Sequence, residues 1–354
     1  MASATTISVL PSGDEATARW RALWSAGTAT VFQSPVFVET VLEQARKHDT
    51  DRQNMLFAFM SSEGQDFAGF HVLSTRENGL RVLRHPGIGE CDYAGPLLRA
   101  PSDATRFVEH WPALCAALPR HDVLHMRQMP EKPVSPEELG GLQRAHTHAH
   151  PVRLTTADPI DLLPTSKLRS DLRRRRRKLE AQGDLAFFVA TPPDVPAHYQ
   201  QLVDWRIARF TAMGKDDPLL QPAHRDLYLD LATRHPDTAV VSGLSLDGHP
   251  IAMQFGLLDH DRYCQIVTAF QDGPHKVNAP ARLLMLDMMR WTRDRGLPVY
   301  DFTVGDEPYK DSFGADRLPI HEIVLPRTMA GQVYTFYKKC EFAVEAYLEQ
   351  RKST

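Results

Sequence analysis

The feature that most constrains this chain is the basic run LRRRRRKLEAQG at residues 172–183, which places five arginines in succession. On a helix, three leucines share one side of this segment: Leu168, Leu172 and Leu179. Five successive residues circle a helix, so the arginines cannot form one solvated face. Arg175 falls on the leucine side, and it must therefore extend to solvent, pair with a carboxylate or contact an anion. Asp171, four residues earlier, is a candidate partner.

The bulk composition is that of a folded protein without a global basic field. Of the 354 residues, 42% are hydrophobic and 24% are charged, and the formal net charge is −3. This balance disfavours a nucleic-acid-binding function. No apolar stretch approaches the roughly 20 residues of a membrane span, and the first residues lack the pattern of a secretory signal. The four cysteines lie far apart without a CxxC pattern, so we expect reduced thiols and a cytoplasmic location.

Helix-like and strand-like segments alternate along the chain and predict a mixed α/β (α+β) fold. Ser34 and Pro35 suit the first positions of a helix over residues 34–48. Residues 250–270 have the pattern of two strands with a turn at 259–262.

The Pro/Gly-rich stretch at residues 129–141 predicts a surface loop that precedes the basic run. We therefore expect one domain at 1–155 and a second at 156–330. An amphipathic helix is expected at 331–350, and it could join the first domain.

The segment at residues 268–297 predicts a strand, a polar loop and a helix over 281–295. Pro280 suits the first turn of this helix, and Gly296 suits its end. A helix N-terminus offers unpaired N–H groups and the positive end of the helix dipole, which suits a phosphate. Every helix has such an end, so an ordinary loop-to-helix junction is the alternative.

Residues 300–314, YDFTVGDEPYKDSFG, combine a strand with an unusual density of functional groups. Carboxylates, a phenol and an ammonium in one short segment can serve acid–base or charge-stabilising chemistry. The candidates are Asp301, Asp306, Glu307, Tyr309 and Lys310. The alternative is a polar loop with incidental charges.

Several separated motifs occur in a consistent order over residues 160–315. They are a basic helix from Lys167-Leu-Arg169 to Gly183, Trp205-Arg206, strands at 238–270, Ala279-Pro280-Ala281, and the D-F-x-x-G-x-E-x-Y-K segment from Asp301-Phe302 to Tyr309-Lys310. This combination resembles the CelD/FemAB-like branch of the GNAT acyltransferase superfamily, with its BioF2-like acetyltransferase domain. The resemblance implies two tandem GNAT-like domains. Each is expected to be a mostly antiparallel mixed sheet flanked by helices.

The resemblance implies that the second domain binds an acyl-CoA, usually acetyl-CoA, as co-substrate, and that it uses no metal. The donor pyrophosphate would bind at the loop before helix 281–295. The residues implied for donor contact are Lys276, Asn278, Ala279, Ala281 and Arg282. Two of them depart from the family pattern: Ala279 and Ala281 replace glycines, so a positive φ costs more.

The chemistry implied by the resemblance is direct attack of an amine or hydroxyl on a thioester. On the matched motif we expect Asp301 or Glu307 as the base or the acceptor-orienting group. Lys310 would stabilise negative charge, and Tyr309 would protonate the thiolate. FemAB enzymes that use aminoacyl-tRNA carry a long helical arm. Residues 215–240 are too few for such an arm, which favours CoA.

Four interpretations of the basic run stay open. It is a helix surface with ion pairs, or a site for an anionic acceptor such as a sugar nucleotide, lipid-linked glycan or polysaccharide. The third is a nucleic-acid site, which the absence of interleaved aromatic residues disfavours. The fourth is a site for a regulatory cyclic dinucleotide or an acidic membrane surface. The residues expected to contact an acceptor are Arg169, Arg173, Arg175, Arg176, Trp205 and Arg206.

His146, His148 and His150 alternate, and on a strand they would share one face, as metal ligands can. No partnering cysteine or acid motif accompanies them, so the sequence does not favour a metal site.

The function expected is acyl-CoA-dependent N- or O-acyl transfer, with acetyl as the expected group. The acceptor would be an amino sugar or hydroxyl of a cell-envelope or exopolysaccharide precursor. One alternative is a non-catalytic GNAT-fold protein that recognises an anionic nucleotide or glycan through the basic helix at 167–178. A third class is an RNA-binding module. The sequence leaves the oligomeric state open.

Overall fold

The computed structural model describes residues 4–27, 29–48, 50, 54–85 and 91–352. The strands are β1 (Thr5–Pro11), β2 (Met55–Ser62), β3 (Gln65–Glu77), β4 (Leu80–Arg84), β5 (Leu97–Leu98), β6 (Val123–Pro130), β7 (Leu142–Arg153), β8 (Leu185–Val189), β9 (Ala239–Leu246), β10 (His249–Leu258), β11 (Arg262–Phe270), β12 (Val299–Val304) and β13 (Leu318–Pro326). The helices are α1 (Asp14–Ala26), α2 (Pro35–Lys47), α3 (Asp103–Ala117), α4 (Pro136–Leu139), α5 (Pro159–Leu162), α6 (Ser166–Glu180), α7 (Val195–Ala212), α8 (Pro222–Arg234), α9 (Pro280–Asp294), α10 (Pro308–Asp311) and α11 (Met329–Lys352). None of these described helices is long and apolar enough to span a bilayer.

The chain divides into two compact units. The first comprises Met1–Thr147 and Leu318–Thr354, and the second comprises His148–Arg317. The sequence-based limits at 155/156 and 330/331 placed residues 318–326 in the second domain. The structure places them in the first unit because β13 pairs antiparallel with β6. Helix α11 also lies in the first unit and packs against β13.

The first unit contains a sheet in the order β1-β2-β3-β4-β6-β13, followed by the part of β7 up to Thr147. Antiparallel pairs predominate, and β4 and β6 form the parallel pair, with α3 in the connection between them. Helix α3 contributes Phe107, Trp111 and Leu114 to the core of this unit. Helix α1 crosses β3 at Gly69, where a Cβ atom would lie 2.8 Å from the Trp20 ring.

The second unit contains a sheet in the order β7-β12-β11-β10-β9-β8, to which β7 contributes from His148 onward. Again the pairs are antiparallel except one, since β11 and β12 run parallel with α9 connecting them. Helices cover both faces. Phe255 of β10 contacts Tyr199 of α7 and Tyr228 of α8, whereas Ala252, on the opposite face of the strand, belongs to the cluster that contains α9 residue Met288.

These sheets and helices confirm the mixed α/β class and its mostly antiparallel sheets. The Ser34 hydroxyl accepts a hydrogen bond from the Phe37 N–H and caps α2, as its position predicted. The strand pair β10/β11 and helices α9 and α11 are also confirmed. The sequence analysis did not identify β1, α1, α8 or the full length of β7, and the loop expected at 129–141 includes the short helix α4.

Candidate active site in the second unit

Strands β11 and β12 separate soon after they meet. Residues 262–264 pair with residues 299–301, and no ladder pair follows, although β11 extends to Phe270 and β12 to Val304. The pairing of β12 with β7 is also irregular between Asp301 and Val304, and Thr303 has a positive φ of 57°. A gap therefore opens between the carboxyl ends of these strands, and we call it the β11–β12 gap.

A chain of polar side chains crosses the sheet at this gap. Gln254 Nε2 donates to the Tyr300 hydroxyl at 2.8 Å, and that hydroxyl donates to Gln265 Oε1 at 2.6 Å. Gln265 Nε2 in turn donates to the Tyr309 hydroxyl at 3.2 Å. Burial raises the pKa of Tyr300 well above its ordinary value, and burial with the nearby Glu307 charge raises the pKa of Tyr309 to about 12. Both phenols are therefore protonated at neutral pH.

Gln254, Gln265 and Tyr300 were not among the site residues expected from the sequence. Amides within otherwise apolar strands are the available signal, because a buried polar group needs hydrogen-bond partners. The partners come from three different strands and from α10, so the sequence alone could not join them.

Lys310 is almost fully buried and fixes the turn after β12. Its Nζ donates to the Val304 carbonyl at 2.8 Å, lies 3.4 Å from the Thr303 carbonyl, and lies 2.9 Å from a Glu307 carboxylate oxygen. The ammonium group therefore holds the backbone that carries Tyr309. Glu307 is the exposed member of the pair, with a side-chain exposure of 57%.

Asp301 lies inside the sheet with no exposed surface. One of its carboxylate oxygens accepts a hydrogen bond from the Thr303 N–H at 2.8 Å, and the other lies 3.4 Å from Arg262 Nη1. These contacts stabilise the irregular end of β12. Of the two carboxylates expected as a base, Glu307 is thus the one that solvent and a substrate can reach.

Asp306 forms a separate polar group with His148 and Arg317. Its carboxylate oxygen lies 2.8 Å from His148 Nδ1 and 2.8 Å from Arg317 Nη2. Partial burial acts to raise the pKa of Asp306, but the hydrogen bond with His148 and the charges of His148 and Arg317 bring it below its ordinary value. His150, behind this group, has a lowered pKa because of burial and the nearby Lys310 charge.

The loop after β11 leads into α9 through a 3₁₀ turn, Pro274–Asn278, and a left-handed residue. Ala279 has φ 50° and ψ 54°, so alanine adopts here the conformation that glycine would reach more easily. Lys276 lies on the surface, and its ammonium is paired with Asp272 at 2.9 Å. Asn278 is buried. Arg282 lies in the first turn of α9, and no side chain among the described residues forms an ion pair or hydrogen bond with it.

The basic helix α6 contacts this loop. The Arg175 guanidinium donates to the Val277 carbonyl, and its Nε lies 2.6 Å from an Asp171 carboxylate oxygen. The pairing with Asp171 confirms the expectation from their spacing. Leu172 and Leu179 are buried, as the helical arrangement predicted. Arg175 therefore lies at the loop that precedes α9.

The other arginines expected to contact an acceptor also have partners within the second unit. Arg169 Nη1 donates to the Leu163 carbonyl at 2.5 Å. Arg173 pairs with Asp161 at 2.7 Å, and Arg176 pairs with Asp287 at 2.6 Å. The side chains of Arg173 and Arg176 line a cavity of about 230 Å³ together with Asp158, Asp161 and Arg290. Three arginines and two aspartates line this cavity, so only one positive charge is left in excess.

Helix α7 lies against β11 and brings further cations to the gap. Arg206 pairs at 2.6 Å with the buried Asp217 and stacks on the Phe210 ring. The positive charge of Arg206 acts to lower the pKa of Tyr309, against the larger effect of burial. Arg209, which stacks on the Phe270 ring at the end of β11, acts on Tyr309 in the same way.

Trp205 is half-buried on the same helix. His146, His148 and His150 do not assemble a metal site: among the described residues, no group of three or more potential ligands lies close enough to hold a metal ion.

A parallel strand pair that separates beside the loop before α9, with a protonated tyrosine at its edge, is the candidate site of the second unit. Residues 166–311, which contain this site, match the family model described as an acetyltransferase (GNAT) domain. This match covers most of the second unit.

Solved structures extend the comparison to most of the chain. The C-terminal domain of a putative lysylphosphatidylglycerol synthetase from Agrobacterium fabrum is 16% identical, with 90% of this chain and 94% of that chain covered and a TM-score of 0.53. L-PGS from Bacillus licheniformis is 14% identical, with 86% and 94% covered and a TM-score of 0.52. FemX is 8% identical, with 76% and 87% covered and a TM-score of 0.53. At these identities the likeness shows the fold alone.

No curated protein sequence matches the chain. The acceptor, the donor and the roles of the site residues are therefore matters for proposal.

Proposed function

We propose that the second unit is an acyl-CoA-dependent N- or O-acyltransferase and that it transfers acetyl from acetyl-CoA. The observation that carries the proposal is the β11–β12 gap, which ends at the loop before α9 and at the Tyr309 hydroxyl. An extended thioester arm entering such a gap can use backbone groups that have no ladder partner across it. The match of residues 166–311 to the GNAT acetyltransferase domain supports this assignment.

Donor binding would use the start of α9. Its first N–H groups and the positive end of the helix dipole suit a pyrophosphate. Arg282 is the cation best suited to contact it, because Lys276 is already paired with Asp272. Arg175 would act indirectly, since its hydrogen bond to the Val277 carbonyl holds the loop in position.

In the proposed reaction, the acceptor amine or hydroxyl attacks the thioester carbonyl. The tetrahedral intermediate then collapses, the carbon–sulfur bond breaks, and CoA leaves as a thiolate that receives a proton from Tyr309. Glu307 would take the proton that the nucleophile loses, directly or through water. Lys310 and Asp301 would position the end of β12 rather than touch the reacting atoms, since both are buried and engaged with backbone groups.

We propose an anionic acceptor, as part of a cell-envelope or exopolysaccharide precursor with an amino sugar or hydroxyl as nucleophile. Arg209 supports this choice because its positive charge acts on Tyr309, whereas Arg206 is already paired with Asp217. The α6 arginines contribute less than the sequence suggested, because their partners already include Asp161, Asp171 and Asp287.

One of the similar structures is named as a domain of a putative lysylphosphatidylglycerol synthetase, which raises transfer of a lysyl group as an alternative to acetyl transfer. Residues 215–240, where a helical arm of the FemAB type would lie, contain the single α-helix α8, Pro222–Arg234. This supports CoA over aminoacyl-tRNA as the donor.

The test is a thermal-shift titration of the full chain with acetyl-CoA, followed by a thiol-release assay with amino-sugar acceptors. Acetyl-CoA should raise the melting temperature by mass action. Absence of a shift at millimolar acetyl-CoA would contradict the proposal. Stabilisation without thiol release from any acceptor would favour the second candidate, a non-catalytic binding protein. The observation in favour of that candidate is the loop itself, where Ala279 replaces the expected glycine and Lys276 is already paired.

A further inference from the structure

Helix α11 has one face against the sheet of the first unit. Phe342 packs with Val123 and Val324. Near the start of the helix, Gly331 approaches the backbone so closely that a Cβ atom would lie 2.0 Å from the Asp122 carbonyl oxygen. These contacts of the inner face fix the position of α11 and its rotation about the helix axis.

The opposite face of α11 is apolar and open to solvent. Its large side chains are between 49% and 75% exposed: Met329, Val333, Phe336, Tyr337, Val344, Tyr347 and Leu348. Cys340 is also exposed and lies at the middle of the helix. Positions 333, 337, 340, 344 and 347 alternate steps of four and three residues, which is the spacing of a seam between two helices.

The size of this face matches a protein interface. At these exposures the side chains offer roughly 700 Å² of apolar surface, since a large aromatic side chain has about 150–250 Å² to bury. The largest apolar patch of a typical monomer is about 300–600 Å². A standard interface takes about 800 Å² from each partner. One further helix of the same kind would cover the face.

We propose that this face binds the α11 of a second copy of the chain, antiparallel and centred on Cys340. In that register, residues at equal distances on either side of Cys340 face each other, so Val333 of one copy meets Tyr347 of the other. Phe336 meets Val344, and the large Tyr337 meets the small, exposed Ala343. Large and small side chains thus alternate across the seam, as close packing requires.

Charges at equal distances from Cys340 are opposite in sign. Lys339 of one copy lies level with Glu341 of the other, and Glu341 also pairs with Lys338 of its own helix at 2.9 Å. Opposite charges at matching levels favour one orientation of a helix pair. A membrane surface is the competing occupant. Helices that bind membranes carry Lys and Arg across the polar face, whereas α11 mixes Lys338 and Lys339 with Glu341 and Glu345.

Sedimentation of the full chain at tens of micromolar tests the proposal. The natural chain should sediment as a dimer, and Phe336→Glu should reduce the mass to that of the 39.9 kDa monomer. Val344→Arg should also give the mass of the monomer, because Val344 of one copy faces Phe336 of the other. Leu220→Glu is the matched control, because Leu220 is also an exposed leucine but lies outside α11. Circular dichroism checks that each variant is folded.

Two further measurements test the register. Mild oxidation should link the natural dimer through Cys340, and Cys340→Ser should abolish the link. Lys339→Glu should weaken the dimer at low salt, and the double variant with Glu341→Lys should restore it.

A monomeric natural chain, or a dimer that survives both Phe336→Glu and Val344→Arg, would overturn the proposal. A dimer without the Cys340 link would overturn the register. If the chain is instead monomeric and binds phosphatidylglycerol vesicles in a Phe336-dependent way, the face is a membrane surface. Acetyl-CoA binding depends on the second unit, so failure here leaves the proposed activity intact.

Discussion

Tyr309 receives a hydrogen bond from Gln265 and so keeps its own hydroxyl hydrogen for another acceptor. Gln265 Nε2 is the donor in that contact, and Tyr300 fixes the amide orientation by donating to Gln265 Oε1. Burial keeps the phenol protonated, with a pKa of about 12. A leaving thiolate in the gap is a suitable acceptor. Under the proposed function, the polar chain would orient this proton donor.

We expect Tyr309→Phe to lower kcat by about 100-fold or more, because a positioned acid contributes about that much. The KM for acetyl-CoA should change little, since the hydroxyl acts on the leaving group. Thiol release measures both parameters. Tyr263→Phe is the control, because its buried hydroxyl accepts from Gln254 without reaching Tyr309. Equal losses of kcat in the two variants would show that the effect is not specific to the Tyr309 hydroxyl.

At the start of α9 we expect Arg282→Ala to weaken acetyl-CoA binding by about tenfold, the effect of losing one charge-assisted contact of about 1.4 kcal/mol. Lys276→Ala should have a smaller effect, because Asp272 already engages that ammonium. Calorimetric titration compares the two variants. A larger effect from Lys276 would mean that the loop rearranges when the donor binds.

At the level of elements, α6 and α9 are joined by an ion-pair network. Asp287, which is buried, contacts Arg176 at 2.6 Å and Arg290 at 2.6 Å. Arg290 also binds Asp158 at 2.9 Å, and this contact is the main reason for the lowered pKa of Asp158. The network fixes the basic helix α6 beside α9, which begins at the loop proposed to bind the acyl donor.

Asp287→Ala should reduce the free energy of unfolding by about 2 kcal/mol, because two guanidiniums lose a buried partner. Asp161→Ala removes the carboxylate of the exposed pair with Arg173, and it should cost less than about 1 kcal/mol. Urea denaturation of both variants measures the difference. Similar values would mean that the network adds no stability.

At the scale of the whole molecule, the response to acid depends on a buried carboxylate in the first unit. Glu322 lies 2.6 Å from His125 Nε2 and 3.0 Å from Arg144 Nη2. Burial opposes ionisation of Glu322, but the His125 hydrogen bond and the nearby cations lower its pKa from 4.5 to about 2. Burial lowers the pKa of His146, in the same region, to about 4.

Both shifts predict loss of stability on acidification. A carboxyl with a lowered folded-state pKa stabilises the fold above pH 4.5, and this contribution falls away as the pH drops toward 2. A histidine with a lowered pKa acts in the same direction, between pH 6.5 and 4. The free energy of unfolding from pH 7 to pH 3.5 should therefore fall steadily.

Glu322→Gln should be less stable than the natural chain at pH 7, and the difference should narrow toward pH 3.5. Replacement of the exposed Glu109 by Gln serves as the control. A difference that stays constant with pH would show that Glu322 is not ionised in the folded protein.

The sequence by itself determined features that depend on neighbours in the chain. The Ser34 cap of α2 and the pairing of Arg175 with Asp171 join residues three or four positions apart. Local sterics and hydrogen bonding set these contacts. The buried leucines of α6 and the start of α9 at Pro280 follow from the same local rules. The order of the family motifs pointed to the second unit as the location of the site.

Only the tertiary structure decided which partners the charged groups found. Arg176 binds Asp287, and Gln265 meets Tyr309, across long stretches of chain. Lys310, expected at the reacting group, is instead buried against the backbone of β12. These outcomes depend on how strands and helices pack, because the large cost of burying a charge or an amide is offset by whichever partner the fold brings within reach. The sequence supplies the functional groups, and long-range packing determines which of them remain available to a substrate.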